Sequence, residues 1–147
     1  MDDSIPVIPP VIGWAAAGGA LDERAAALFA LQFFWQLPHF LALGWMYRED
    51  YRRGGCRVLA VEDPDGSATG RQMCATAGLL LAVSLAPYGL GLAGGAYLAA
   101  AATAGLAFLW TCLRAARALT EASARGVFAA SLAYLPIVLG ALVCARR

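Results

Sequence analysis

The sequence predicts an all-α, multi-span transmembrane helical bundle with four full spans and a partial one. Apolar residues make up 61% of the 147 residues before the 16 glycines are added, against about 45–50% with glycine included in soluble domains. Charged residues make up 14%, against about 25% in soluble domains, and the mean hydropathy is +0.64. Because too few polar groups are present to cover a water-soluble globule, we expect the chain to lie in the lipid bilayer.

The spans follow from the length of helix that a bilayer requires. A hydrocarbon core of about 30 Å needs roughly 20 helical residues. Four windows of that kind lie at about 25–46, 73–92, 94–113 and 127–145. An earlier apolar stretch, about 5–20, is shorter and begins with three prolines, so we expect a partial span with an irregular start. The whole chain, 1–147, is expected to form a single transmembrane domain.

Arginine, the only cationic residue type besides one histidine, orients these spans. The polar loop 47–72 and the later connection 114–125 fall on the same side of the membrane if the spans alternate. Cytoplasmic loops retain positive charge, so we expect loop 47–72 to be cytoplasmic in a multi-pass protein of the cell (inner) membrane, with the C-terminus outside. The arginines of these two connections are Arg48, Arg52, Arg53, Arg57, Arg71, Arg114, Arg117 and Arg125.

Several functional classes are disfavoured by composition. A zinc site needs three or four His, Cys or carboxylate ligands, and bis-histidine haem ligation needs two histidines, whereas His39 is the single histidine. The net charge of +1 gives no reason to expect a nucleic-acid partner. The acidic N-terminus predicts no secretory signal peptide. The cysteines show no C-x-x-C pairing and are expected to be small apolar residues: Cys56, Cys74, Cys112 and Cys144.

A stripe of polar residues follows the window 25–46. Steps of three and four residues place its members on one helix face. Polar groups at bilayer depth are expensive and normally face the protein interior, and Pro38 removes a backbone donor and favours a kink. The stripe either lines a site or simply forms hydrogen bonds with neighbouring helices. Its members are Gln32, Gln36, His39, Leu43, Tyr47 and Asp50.

The segment 47–55 combines carboxylates, arginines and glycines at the predicted membrane surface. Asp50 or Glu49 can hold Mg²⁺, which prefers oxygen ligands and bridges phosphates. Arginine supplies bidentate contacts to phosphate oxygens, so the segment suits a diphosphate. The alternative is a solvated loop that only obeys the positive-inside rule. The aromatic residues at span ends are either interface anchors or pocket residues: Trp14, Trp45, Tyr47 and Tyr51.

Four co-linear segments resemble the C-terminal half of the haem O synthases, a family of intramembrane aromatic prenyltransferases. The segments are Pro10-Val11-Ile12-Gly13-Trp14, Trp35-Gln36-Leu37-Pro38-His39-Phe40, Arg48-Glu49-Asp50-Tyr51 with Gly54-Gly55, and Ser131-Leu132-Ala133-Tyr134-Leu135-Pro136. The resemblance implies half of a nine-helix bundle around a lipid-facing cavity. It also implies transfer of a farnesyl group from farnesyl diphosphate to a vinyl group of haem B, with Mg²⁺, to give haem O for terminal oxidases.

The resemblance implies roles for particular residues. Asp50 would be a catalytic metal or diphosphate ligand, with Glu49 as a second candidate metal ligand, and His39 would be catalytic and face the haem. The implied substrate-binding residues are Arg48, Arg52, Arg53, Gln36, Tyr47 and Tyr51. The implied protein partners are a missing N-terminal half or haem A synthase.

Two departures from the family pattern limit this expectation. Gly54 stands where the superfamily's D-x-x-x-D motif has its second aspartate. The first acidic motif, N-x-x-x-D-x-x-x-D, has no counterpart in residues 1–30. We therefore expect a C-terminal portion that is catalytically incomplete alone. The alternatives are a membrane prenyltransferase acting on a quinone or chlorin precursor, and a non-catalytic small membrane protein that acts as a scaffold or self-associates.

Overall fold

Four long helices and two short ones make up the described part of the chain. The computed structural model describes residues 23–145, apart from the side chain of Arg24. The predicted partial span 5–20 and the segment 10–14 lie outside the described residues. The helices are α1 (Glu23–Met46), α2 (Arg48–Arg53), α3 (Leu59–Glu62), α4 (Ser67–Gly89), α5 (Gly95–Arg117) and α6 (Glu121–Cys144).

The four long helices account for the four predicted full spans. Each contains a stretch long and apolar enough to cross a membrane, namely Ala25–Met46, Ser67–Gly89, Gly95–Arg117 and Glu121–Cys144. Residues 23–145 contain no strand. The predicted class, an all-α bundle with several candidate spans, is therefore confirmed for this part of the chain.

The helices extend beyond the predicted windows at the end of the bundle where arginines are concentrated. Helix α4 begins at Ser67 rather than 73, α6 begins at Glu121 rather than 127, and α5 continues to Arg117 rather than 113. A hydropathy window stops at the first charged residues, whereas a helix continues where long charged side chains reach interfacial water. The segment predicted as loop 47–72 therefore contains α2, α3 and the first turn of α4.

The long helices pack as a ring. Helix α1 packs against α4 and α6, and α5 packs against the same two helices. Close approach depends on small residues: a Cβ added at Gly70 on α4 would lie 3.1 Å from Ala116 on α5. The largest buried side chains of the interior are Leu31, Met73, Leu80, Tyr97, Val127 and Tyr134.

One end of the ring carries the charged connections, and we call it the arginine-rich end. It comprises α2, α3 and the adjoining ends of the four long helices. Gly66, just before α4, adopts the left-handed conformation (φ 76°). A Cβ added there would lie 2.8 Å from the Trp45 ring and 3.0 Å from Leu119, so the end of α1 and the α5–α6 connection meet at the start of α4.

Candidate functional site

The first feature of the site is a contact between α1 and α6. His39 Nδ1 lies 2.8 Å from Ser131 Oγ, although the two residues are 92 positions apart in the sequence. The Ser131 hydroxyl also donates to the carbonyl of Phe128, at 2.6 Å. The packing of α6 against α1 thus joins two of the sequence segments that carry the family resemblance.

Aromatic side chains fix the plane of the His39 ring. Trp35 stacks on one side, with ring centroids 4.9 Å apart, and Phe128 stacks on the other at 4.7 Å. The indole Nε1 of Trp35 donates to the backbone carbonyl of Ser131 at 2.7 Å. The imidazole is therefore held between rings from both helices, and its stacking partners are tied to the same turn of α6.

The predicted polar stripe lies to one side of the most buried apolar face of α1. One face of α1 points to the interior and carries buried apolar residues at helical spacing: Leu31, Pro38, Ala42 and Trp45. With 100° per residue, Gln32, Gln36 and His39 lie roughly 90–150° around the helix from that face. The stripe thus occupies the flank of α1 next to α6.

Gln36 is the most buried amide of this flank. Its side chain is 6% exposed, and within residues 23–145 its Oε1 atom has no hydrogen-bond partner. A buried acceptor without a partner costs about 1–3 kcal/mol. Such an atom at bilayer depth is a candidate contact for a ligand or for a neighbouring chain segment.

The predicted continuation of the stripe into Tyr47 and Asp50 on one helix face is wrong. Helix α1 ends at Met46, and Tyr47 has φ −109° and ψ 20°, outside helical values. The hydrophobic sequence ends there and the charged segment 48–53 forms a separate surface helix with no buried residue. Asp50 therefore belongs to α2 and is not in register with His39.

Helix α2 presents its charges to solvent. Glu49 pairs with Arg52 at 2.9 Å and with Arg53 at 3.6 Å, and all three side chains are more than half exposed. Exposed pairs of this kind contribute about 0–1 kcal/mol, so they can exchange for another anion. Within residues 23–145 the Asp50 carboxylate has no hydrogen-bond or ion-pair partner. The guanidinium of Arg48 lies 4.3 Å from the centroid of the Trp45 ring.

The predicted site residues thus fall into two groups. Gln36 and His39 lie within the span on the flank of α1, and the α2 residues lie at the arginine-rich end. The seven residue steps from His39 to Met46 separate them by about 10 Å of helix. Tyr47 is exposed and Tyr51 is half-buried at the same end as α2.

The carboxylates do not form a closed metal site by themselves. Residues 23–145 contain no group of three or more His, Cys, Asp or Glu side chains placed to hold a metal ion. Glu49, one predicted ligand, is engaged by two arginines, and Asp50, the other, has no partner among residues 23–145. Since Mg²⁺ is commonly held by one or two carboxylates together with substrate phosphates, Asp50 fits as one ligand of such an arrangement.

Sequence reasoning missed three residues that shape this region. Ser131 and Phe128 contact His39; Ser131 lies in a segment that carries the family resemblance, but nothing in the sequence indicated that either residue packs against His39. Asp63 is buried, and its carboxylate accepts a 2.7 Å hydrogen bond from the N–H of Thr69. Burial alone raises the pKa of Asp63, but the hydrogen bonds from Thr69 and its neighbours hold that pKa below the usual range. An aspartate shortly before the start of a helix is a typical capping residue, and Asp63 stands shortly before Gly66 and the start of α4. That pattern was the sequence signal available for Asp63.

Comparison with known proteins relates this chain to a family of prenyltransferases. The UbiA prenyltransferase family matches residues 6–143. Proteins named protoheme IX farnesyltransferase are 45% identical over 139 residues in Solibacter usitatus, 38% over 146 residues in Koribacter versatilis and 42% over 139 residues in Opitutus terrae. These alignments cover 94–95% of this chain and 47–48% of the relatives, so the chain spans about half their length. No solved structure matches it significantly.

These similarities confirm the resemblance predicted from the motifs around His39, Asp50 and Ser131, and they are consistent with the C-terminal half of such proteins. The family name and the names of the relatives both denote transferases. The chain belongs to the UbiA prenyltransferase family.

Proposed function

We propose that this chain forms one side of the site of an intramembrane prenyltransferase that transfers a farnesyl group from farnesyl diphosphate to a vinyl group of haem B, giving haem O. The observation that carries the proposal is the contact of His39 with Ser131 on the polar flank of α1. The contact lies within a helix that is long and apolar enough to span a membrane, about 10 Å of helix from the charged segment α2. The names of the similar proteins supply the substrate class.

The proposed diphosphate site is α2. Arg52 and Arg53 are held only by exposed ion pairs with Glu49, so a diphosphate can take them over. Their guanidinium groups offer bidentate contacts to phosphate oxygens, and Arg48 adds a third cation from its place over Trp45. Asp50 is the residue that would hold Mg²⁺ with the phosphates, and the ion supplies neutralisation of the leaving group's charge.

The proposed reaction breaks the allylic carbon–oxygen bond of the prenyl diphosphate, which releases diphosphate, and forms a carbon–carbon bond to the vinyl group. The positive charge left on the other vinyl carbon is then quenched by one water molecule, which loses a proton and leaves the hydroxyl group of haem O. The arginines of α2 stabilise the negative charge that develops on the leaving diphosphate. The rest of the span around the polar flank of α1 is apolar and would keep bulk water from the allylic cation until it has reacted. Gln36 and His39 are placed to bind and orient the acceptor, with Tyr47 and Tyr51 near the charged end of the donor.

The position of the polar flank supports the view that another chain segment completes this site. The flank is turned roughly 90–150° away from the most buried apolar face of α1, and within residues 23–145 the buried Oε1 atom of Gln36 has no hydrogen-bond partner. This chain covers about half of its relatives, and the proposed N-terminal half of the enzyme would supply the opposite wall and the other acidic motif.

A chimera tests the proposal. In the chimera, this chain replaces the half of the Solibacter usitatus relative that it matches. The chimera is expressed in a bacterial strain without its own haem O synthase, and the extracted haems are analysed by mass spectrometry. We expect haem O from the chimera, none from residues 1–147 alone, and none from the chimera with Asp50→Ala. The matched control is Asp65→Asn, an exposed acid at the same end, which should leave haem O production unchanged.

The other outcomes identify the alternatives. A prenylated quinone or chlorin precursor in place of haem O would contradict the haem assignment and support another prenyltransferase. An inserted chimera without any prenylated product would contradict enzymatic function and favour a non-catalytic membrane protein. Haem O from residues 1–147 alone would contradict the need for a second half.

A further inference from the structure

The hydrogen bonds around Ser131 determine which ring nitrogen of His39 carries the proton. Ser131 has one hydroxyl hydrogen and accepts through its remaining lone pairs. The carbonyl of Phe128, 2.6 Å from Oγ, has no hydrogen to give, so the hydroxyl hydrogen must point toward it. The 2.8 Å contact with His39 can then form only if Nδ1–H of His39 donates to Ser131 Oγ.

This arrangement leaves Nε2 of the neutral imidazole unprotonated. In a neutral histidine one ring nitrogen is a donor and the other is an acceptor, and the partner of the first sets the second. Within residues 23–145 Nε2 makes no hydrogen bond. The ring is stacked between Trp35 and Phe128, which favours the orientation in which Nδ1 faces Ser131.

We propose that Ser131 is a positioning residue: it holds His39 as the Nδ1–H tautomer, so that Nε2 offers its lone pair to an electron-pair acceptor on a bound substrate. Trp35 supports the arrangement because its indole N–H bonds to the carbonyl of the same serine. The tautomer follows from the contacts of α1 and α6 alone. The identity of the acceptor, a haem iron or a proton of the substrate, rests on the proposed function.

Nitrogen-15 NMR of the histidine side chain tests this assignment directly. His39 is the single histidine, so a chain purified through a histidine-free tag and labelled with ¹⁵N-histidine gives signals from this ring only. In micelles at about pH 8.5, well above the ordinary histidine pKa of about 6.5, the imidazole should be neutral. We expect Nδ1 to have a protonated-type shift and Nε2 an unprotonated-type shift.

Variants separate positioning from simple packing. Ser131→Ala should move both signals toward the average of two exchanging tautomers, and Ser131→Thr, which keeps the hydroxyl, should restore the separate shifts. The matched control is Ser84→Ala, because Ser84 is also fully buried and also donates to the carbonyl three residues earlier, at 2.8 Å, but on α4. That variant should retain the wild-type shifts.

Two results would overturn the inference: an Nε2–H tautomer in the unaltered chain, or unchanged shifts in a folded Ser131→Ala variant. If Ser131→Ala does not fold, the unaltered chain and Ser131→Thr still decide the tautomer. An inactive chimera with the predicted tautomer intact would contradict the proposed function and leave this inference standing.

Discussion

The carboxylate of Asp63 caps the start of α4 by accepting a hydrogen bond from the backbone N–H of Thr69 at 2.7 Å. The first N–H groups of a helix have no partner within the helix, and a carboxylate there also interacts favourably with the helix dipole. Because Gly66 brings this helix start against Trp45 and Leu119, the cap holds together three connections at the arginine-rich end.

Replacement of the cap is expected to destabilise the chain. Asp63→Asn should lower the free energy of unfolding by about 1 kcal/mol, since a charged acceptor of buried N–H groups is lost. Denaturant titration in mixed micelles, followed by tryptophan fluorescence, measures the change. Glu62→Gln, which removes only an exposed ion pair with Arg57, is the control and should change stability by less than about 0.5 kcal/mol. Equal effects of the two variants would contradict a capping role.

The same carboxylate predicts a pH dependence. The pKa of Asp63 is lowered in the folded chain, so its contribution is fully present above the unfolded-state pKa of about 3.9 and is lost as the pH falls through the folded-state pKa. Unfolding measured between about pH 6 and pH 3 should show this loss in the unaltered chain. In the Asp63→Asn variant the acid-dependent loss of stability should be smaller. An identical pH profile in the two chains would show that other groups determine the pH dependence of unfolding.

Gly66 should be sensitive to substitution for two separable reasons. Gly66→Ala places an alanine in the left-handed region, which costs about 1–2 kcal/mol, and drives its Cβ to 2.8 Å from the Trp45 ring. Gly55→Ala is a matched control, because Gly55 has φ 69° but no atom lies within 4 Å of the added Cβ. We expect Gly66→Ala to be at least about 1 kcal/mol more destabilising than Gly55→Ala. A similar loss in both would assign the whole effect to backbone strain.

The indole of Trp35 should contribute through its hydrogen bond. Trp35→Phe keeps an aromatic ring beside His39 but removes the donor to the Ser131 carbonyl, so a loss of roughly 0.5–1 kcal/mol is expected. Trp110→Phe is the control, since Trp110 is an exposed residue of α5, and it should stay within about 0.5 kcal/mol of the unaltered chain. Thermal unfolding in micelles compares the two; a larger effect at Trp110 would contradict the assigned contact.

Two exposed cysteines test the predicted orientation. Cys56 follows α2 at the arginine-rich end and Cys144 ends α6 at the opposite end, while Cys112 is buried. Variants that keep only Cys56 or only Cys144 are treated in spheroplasts with a membrane-impermeant maleimide. If loop 47–72 is cytoplasmic, Cys144 should react in intact spheroplasts and Cys56 only after permeabilisation. The reverse pattern would show that the predicted orientation is inverted.

The sequence was sufficient for the features that depend on local composition and periodicity. Apolar length identified the four long helices, and helical spacing placed Gln32, Gln36 and His39 on one flank of α1. The local sequence pattern did not predict features that depend on solvent or on residues far away in the sequence. A hydropathy window does not detect a helix end that lies in interfacial water, such as the start of α4 at Ser67. The break at Tyr47 interrupts the helix, although the spacing of polar residues by three and four continues in the sequence.

The partner of His39 was beyond local reasoning. Ser131 is one small polar residue in an apolar span, and its significance arises only when α6 packs against α1. The charged segment showed a related limit. Its composition suggested a site, but whether Glu49 and Asp50 act alike depends on the ion pairs that engage the first and leave the second without a partner among residues 23–145.

The placement of the polar flank beside the buried apolar face makes α1 a shared wall. One face of this helix belongs to the folded interior through Leu31 and Ala42, and the adjacent flank carries the polar side chains of the proposed site. Substitutions on the interior face should therefore change the stability of the bundle, whereas substitutions on the flank should change the substrate selectivity of the proposed site. In a helix divided in this way, stability and the chemistry of the proposed site can be altered separately by substitution.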